Sequence, residues 1–229
     1  MEEFSPEQHK TWAELYRRQL PRIDKYACSQ YLEGFEILEL PAEEVPTVEL
    51  LNSKITPATG WEVVRTEVRY TDADEWYRQF NQKHFLITDY MRSWEELDWT
   101  PEPDMFHDVF GHLPFMVLPE YAELQEMFAP AYLRSSTDAQ KEAIKRLAWF
   151  STEFGLIHES GETKIFGTGL MSGGDEMEKA AAGVTERRPF TIDNVLTRDK
   201  AVNEQNEILF IFDSVAALKA ELHSYFSTF

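Results

Sequence analysis

Eleven prolines and ten glycines punctuate these 229 residues unevenly, and their positions limit how long any helix or strand can run. Six of the ten glycines (Gly155, Gly161, Gly167, Gly169, Gly173 and Gly174) fall in one short stretch. Regular structure there must come in brief pieces, and 164–166 reads as a short strand. Ser5-Pro6-Glu7 is a helix start, a hydroxyl cap followed by Pro at the first helical position. Trp12, Leu15, Tyr16 and Leu20 then recur at helical spacing until Pro21 ends the run, and a second helix is read over 26–32. Pro41, Pro46 and Pro57 mark turns around a short helix near 48–55. Residues 62–70 read as extended, Trp76, Tyr77 and Phe80 as a short helix, and 84–88 as a strand. Pro101 and Pro103 interrupt, a helix opens at Asp104 and stops at Gly111, and 119–133 is helical. Thr137 caps what is expected to be the longest helix, running to about 157. A strand at 208–212 and an amphipathic helix with Val215, Leu218, Leu222 and Phe226 complete the chain. The expectation is one mainly α domain with a few short β-strands, an α+β fold over 1–229.

Charge and composition remove whole classes of function. Twenty-two Lys+Arg against 41 Asp+Glu give a net charge of −19, a surface that repels nucleic acid and anionic lipid. No run of 18 apolar residues is present, so no membrane span is expected. The acidic start, Met1-Glu-Glu-Phe-Ser5, lacks the apolar stretch of a secretory signal. A lone Cys28 forms no internal disulfide and supplies no thiolate metal set, which points to the cytoplasm.

Chemistry concentrates in Thr100-Pro-Glu-Pro-Asp-Met-Phe-His107-Asp-Val-Phe-Gly-His112-Leu-Pro114. Two histidines five apart lie about 140° apart on a straight α-helix and share no face. Gly111 could leave helical dihedrals and swing His112 back toward His107, with Pro114 preventing the helix from resuming. At this level two readings stand: a pair of ordinary histidines, or half of a metal site. Glu153, flanked by Trp149, Phe150 and Phe154, is either a solvated helix carboxylate or a buried one that needs a cation. Two His and one carboxylate without thiolate match the facial triad of non-haem Fe(II) oxygenases.

At this point the sequence resembles the aromatic amino acid hydroxylase family, and in length its bacterial phenylalanine 4-hydroxylases, which lack a regulatory domain. The family block T-P-E-P-D-x-x-H-[DE]-x-x-G-H-x-P stands at 100–114, and W-F-x-x-E-F-G-L at 149–156. Phe166-Gly-Thr-Gly-Leu-Met-Ser172 is similar to the family's Y-G-A-G-[LI]-x-S loop. The resemblance implies a single-domain hydroxylase catalytic fold without regulatory or tetramerisation domains; with no heptad pattern after the last amphipathic helix, a monomer is expected. It implies Fe(II) held by His107, His112 and Glu153, with a tetrahydropterin and O₂ as co-reactants and an aromatic amino acid, L-phenylalanine first, as substrate. Arg92 matches the arginine that grips the substrate carboxylate; Thr100, Pro103, Trp149, Phe154, Gly169 and Ser172 match pocket residues, Ser172 also supporting an iron-bound histidine. Trp76 and Asp108 match pterin-side positions.

The chain also departs from the pattern. Thr66-Glu-Val-Arg-Tyr70 stands where relatives carry P-G-[LI]-[LI], whose backbone hydrogen-bonds the pterin. Ala148 replaces a tyrosine, Leu86 a histidine or proline, and Gly173 a second serine. Three alternatives follow: an iron oxygenase of this fold using another aromatic substrate (tryptophan or a derivative) or no pterin; a zinc hydrolase, since His107-Asp108 followed by His112 is similar to H-E-x-x-H, although one residue out of register; and a non-catalytic amino-acid binder.

Overall fold

The computed structural model describes residues 4–100, 102–201 and 204–229. Met1, Glu2 and Glu3 of the acidic start and the break assigned to Pro101 lie outside the described residues. Helix α1 (Pro6–Tyr26) opens on a capping box in which Ser5 and Gln8 exchange bonds, and it buries Thr11, Trp12, Leu15, Gln19 and Ile23 along one face. Pro21 does not end it, contrary to the sequence expectation. The ring and the Arg17 carbonyl it deprives of a donor both lie on the exposed face, where water can serve that carbonyl. The helix expected at 26–32 is instead α2 (Ser29–Leu38), separated from α1 by a bridge in which Cys28 N–H donates to the Ile165 carbonyl at 2.9 Å. In α3 (Val48–Thr59), Pro57 likewise sits inside the helix on its exposed side.

Next come β1 (Glu62–Thr66), α4 (Ala73–Phe80) and β2 (His84–Thr88). The extended reading of 62–70 therefore holds only to Thr66. The parallel pair β1–β2 runs in register from Glu62↔His84 to Thr66↔Thr88. A π-helical turn, His107–His112, then runs directly into α5 (Leu113–Met116). The segment expected at 119–133 is two helices, α6 (Pro119–Gln125) and α7 (Phe128–Arg134). Helix α8 (Asp138–Ala148), capped by Thr137, passes into a second π-helical turn, Trp149–Glu153. It is thus shorter than α1, and Ile157 belongs to a strand.

The remainder is β3 (Leu156–Glu159), β4 (Glu162–Ile165), α9 (Thr168–Met171), α10 (Asp175–Ala182), β5 (Glu186–Pro189), α11 (Ile192–Leu196), β6 (Ile208–Phe212) and α12 (Val215–Phe226). The second sheet has the order β4-β3-β6-β5, antiparallel only between β3 and β4. Trp12, Phe106, Phe110, Tyr31, Phe115 and Tyr121 form a continuous aromatic core beneath the first π-turn. That turn packs against both β2 and α9. Among the described residues, no helix is long and apolar enough to cross a membrane.

Candidate metal centre

Asp104 starts the segment that carries both histidines. Its Oδ1 accepts the His107 backbone N–H at 3.1 Å and caps the helix, which then widens to π geometry. In an α-helix His107 and His112 would face apart; the i→i+5 pattern of a π-turn places residues five apart on one face. Here their Nε2 atoms lie 3.1 Å apart with the rings perpendicular. Gly111 stays in the helix and has no positive φ, so the expected swing at glycine is corrected. Its function is close approach: a Cβ there would stand 2.7 Å from the Thr168 carbonyl. Pro114 does not stop the helix either, because it occupies the first turn of α5.

The second π-turn delivers the carboxylate. Phe154 N–H reaches back to the Trp149 carbonyl at 2.9 Å, the i→i+5 bond that ends this turn just after Glu153. Glu153 Oε1 lies 3.3 Å from His112 Nε2, and Oε2 lies 3.8 Å from His107 Nε2. All three donor atoms fall within 4.8 Å of one another. Donors about 2.1 Å from one metal and at right angles to each other stand about 3 Å apart, so the set fits a divalent cation.

The electrostatics agree with that fit. Burial, helped by the neighbouring His112 charge, pushes His107 down to about 4, which keeps its imidazole neutral. Burial opposes charge on Glu153 as well, but facing His112 overrides it and holds the carboxyl at about 2. His112 is raised, despite burial, because Glu153 faces it. A bound cation would take over the pairing that this proton provides. His107 Nδ1 lies 2.9 Å from Ser172 Oγ, which fixes the ring. His112 Nδ1 is buried and has no hydrogen-bond partner among the described residues.

Around the triad, Trp149 and Phe154 pack at 4.6 Å and Gly169 lies directly under the Phe154 ring. Trp149 Nε1 donates to Asn206 Oδ1 at 2.9 Å. The Asp108 carboxylate accepts Thr88 N–H at 2.8 Å, yet burial pushes it up to about 7.

The sequence profile of biopterin-dependent aromatic amino acid hydroxylases matches residues 2–229. The chain belongs to that family. It is 31% identical to the phenylalanine-4-hydroxylase of Chromobacterium violaceum over 219 residues, 95% of this chain and 73% of the relative. It is also similar to that organism's enzyme solved with bound oxidised Fe(III), with a TM-score of 0.91 and 30% identity, over 99% of this chain and 82% of the other. The apo structure of the cold-active phenylalanine hydroxylase from Colwellia psychrerythraea has a TM-score of 0.90 and 29% identity, over 100% of this chain and 91% of the other.

As a member of this hydroxylase family, the chain distributes its other predicted residues unevenly. The Arg92 guanidinium is buried in a two-bond pair with Asp104, Nε to Oδ2 at 2.7 Å and Nη2 to Oδ1 at 2.9 Å. It borders a cavity of about 240 Å³ with Ser5, Gln8, Thr11, Met91 and Ser93. None of the other residues predicted for the amino-acid pocket lines that cavity. Thr100 is half-buried, with Oγ1 3.4 Å from the Tyr90 hydroxyl, and Pro103 is exposed. Trp76 is half-buried against Phe80 at 4.8 Å and meets Phe85 edge-on at 5.6 Å, and Phe85 in turn packs on His112 at 5.0 Å. Three residues escaped sequence reasoning: Asp104, Asn206 and Thr168. Asp104 and Thr168 stand inside quoted blocks; an isolated Asn carries no such signal.

Proposed function

We propose that this chain is a phenylalanine 4-monooxygenase-like hydroxylase that places one oxygen atom on the ring of an aromatic amino acid, converting L-phenylalanine to L-tyrosine. The observation that carries the proposal is the His107, His112 and Glu153 donor set, gathered within 4.8 Å in a fold shared with an iron-bound relative. A second structure of the same Chromobacterium violaceum enzyme has bound iron(III) and oxidised 7,8-dihydrobiopterin, with a TM-score of 0.88 to this chain and 29% identity. Bound at those three residues, Fe(II) would supply what no side chain has, the activation of O₂ with electrons from a tetrahydropterin.

The chain's own residues then have distinct tasks. Ser172 holds the His107 ring so that Nε2 presents its lone pair. Trp149, Phe154 and the bare Gly169 backbone form an aromatic wall suited to a substrate ring. Arg92 meets Asp104 through Nε and Nη2, bonds that leave Nη1 for a substrate carboxylate. Trp76 and Asp108 face the pterin side, two rings away from and one residue after an iron ligand respectively. We take the chain to act as a single catalytic domain, monomeric and cytoplasmic. Buried Cys28, its thiol pushed up to about 12 by burial, suits a reducing compartment.

Anaerobic loading with Fe(II), followed by tetrahydropterin, O₂ and each aromatic amino acid in turn, tests the proposal by product mass. Tyrosine formed from phenylalanine is the expected result. Unchanged phenylalanine alongside a hydroxylated tryptophan would move the substrate assignment, and no product from any of them would sink the activity.

A further inference from the structure

We infer that Thr168 is a positioning residue that holds Glu153 to one-oxygen binding of the metal, an inference resting on the reading of His107, His112 and Glu153 as iron ligands. Thr168 opens α9 and is completely buried. Its Oγ1 lies 2.9 Å from Glu153 Oε2, 3.1 Å from the Thr152 carbonyl and 3.2 Å from His112 Nε2. A hydroxyl has one proton to donate. With the His112 Nε2 lone pair directed at a metal, the acceptors left are the Thr152 carbonyl and Glu153 Oε2. The carboxylate is both the nearer and the anionic one, so it takes the proton. Oε2 is then engaged, and Oε1, 3.3 Å from His112 Nε2, is the oxygen left for the cation.

The backbone makes this arrangement stiff. A Cβ at Gly167 would lie 2.2 Å from the Glu153 carbonyl oxygen, so the start of α9 is pressed directly onto the turn that carries Glu153. The β-branched side chain has few χ1 choices in that position. The Thr168 carbonyl accepts from Ser172 Oγ at 3.2 Å, and Ser172 Oγ in turn meets His107 Nδ1 at 2.9 Å. One threonine therefore bonds Glu153 by its side chain and supports His107 through its carbonyl and Ser172. The family loop pattern Y-G-A-G-[LI]-x-S has alanine at this position, where this chain has threonine. Restricting Glu153 to one oxygen leaves one more open position on the metal than two-oxygen binding would.

Crystals of the Co(II)-loaded protein test this directly, compared with Thr168→Ser and Thr168→Val; cobalt suits the same N and O donors. In the wild type and Thr168→Ser, one Glu153 oxygen should lie at bonding distance from Co(II) and the other on the hydroxyl. In Thr168→Val, which keeps the shape and loses the donor, both oxygens should move onto the metal. Its visible cobalt bands should weaken with the higher coordination number, and Thr168→Ser should retain them. If Thr168→Val fails to fold, the wild-type and serine crystals decide alone. Two Glu153 oxygens on Co(II) in the wild type, or Thr168 Oγ1 itself bound to it, overturns the inference while leaving the ligand set intact. A wild-type protein that binds no Co(II) overturns the ligand reading itself and this inference with it.

Discussion

The Tyr31 hydroxyl donates to the Phe110 carbonyl at 2.5 Å, within the π-turn that carries both histidines. Phe110 lies four residues before Pro114, which has no N–H to offer it. A buried tyrosine on α2 thus fills the gap that proline leaves beneath the metal centre.

Tyr31→Phe should therefore cost more than a surface hydroxyl would, about 1–3 kcal/mol for a buried carbonyl left without its donor. It should also weaken metal binding, because the turn is no longer fixed from below. Urea unfolding with Co(II) titration checks both effects. Unchanged stability would mean that another donor reaches Phe110.

The metal set makes a sharper prediction. His107→Ala, His112→Ala and Glu153→Ala should each abolish stoichiometric Fe(II) binding, since three donors leave no reserve. Metal analysis after dialysis reads this out. Glu153→Ala with full iron and full activity would remove the carboxylate from the assignment.

Arg92 and Asp104 should behave as a unit. Both are buried, at 7% and 0% exposure, and Asp104 is held in its charged form by Arg92 against the pull of burial. Asp104→Asn strands a buried guanidinium and should cost about 3–5 kcal/mol of stability. Arg92→Lys should raise KM strongly for the amino acid, because a single ammonium cannot hold both Asp104 oxygens and still reach the substrate carboxylate. An amidated substrate should lose much less from the same change. Equal losses for acid and amide would mean that Arg92 serves only Asp104.

A pH dependence follows from Glu176. Burial pushes its carboxyl up to about 7, only partly offset by the Asn206 backbone N–H. Since the folded value lies above the unfolded one, the neutral acid is the form the fold favours. This contribution is complete below about pH 4.5 and is lost as pH rises through about 7, at roughly 1–3 kcal/mol. Glu176→Gln should flatten that slope and leave the protein more stable than wild type at pH 8. Parallel stability curves for the two proteins between pH 5 and 8 would contradict it.

Several of these relationships could not be read from the chain alone, for identifiable reasons. The Ser5 and Thr137 caps, β2, β6 and α12 were legible because capping chemistry and apolar period are local. Pro21 and Pro57 looked like stops because sequence says only that a carbonyl loses its donor. Whether water can replace the donor depends on which face turns outward. His107 and His112 were recognisable as a pair by family pattern, yet α-helical arithmetic sets them about 140° apart. Two π-turns resolve this, and nothing in Val109-Phe110-Gly111 or Phe150-Ser151-Thr152 announces one. Strand β5, Glu-Arg-Arg-Pro, has no alternating apolar residues and exists because β6 offers it an edge. Thr168 was hidden for the same reason: its hydroxyl matters only once α9 meets Glu153.

The segment that the resemblance assigns to the reductant departs from the family pattern. Strand β1 ends at Thr66, and residues 67–70 leave it as a loop in which Val68 and Tyr70 are exposed. Arg69 lies over the Tyr90 ring at 3.8 Å and 3.8 Å from Glu102, so the loop is tied toward the segment preceding His107. The family pattern carries P-G-[LI]-[LI] here, and the resemblance implies that its backbone bonds the pterin. Loss of one or two such bonds, at ~1 kcal/mol each, should raise the dissociation constant roughly 5- to 30-fold. Tetrahydropterin should still support turnover, because Trp76 and Asp108 remain. Trp76 already spends part of its ring on Phe80, so Trp76→Ala should weaken pterin binding by about 0.5–1.5 kcal/mol beyond its lost area and also lower stability. Anaerobic calorimetry with a tetrahydropterin measures the affinity; unfolding curves separate the two effects of the Trp76 change. Stopped-flow mixing of the iron-loaded protein and phenylalanine with O₂, with and without pterin, is decisive. Product formed at equal rates in both arms would remove the pterin and leave an iron oxygenase with a different electron source.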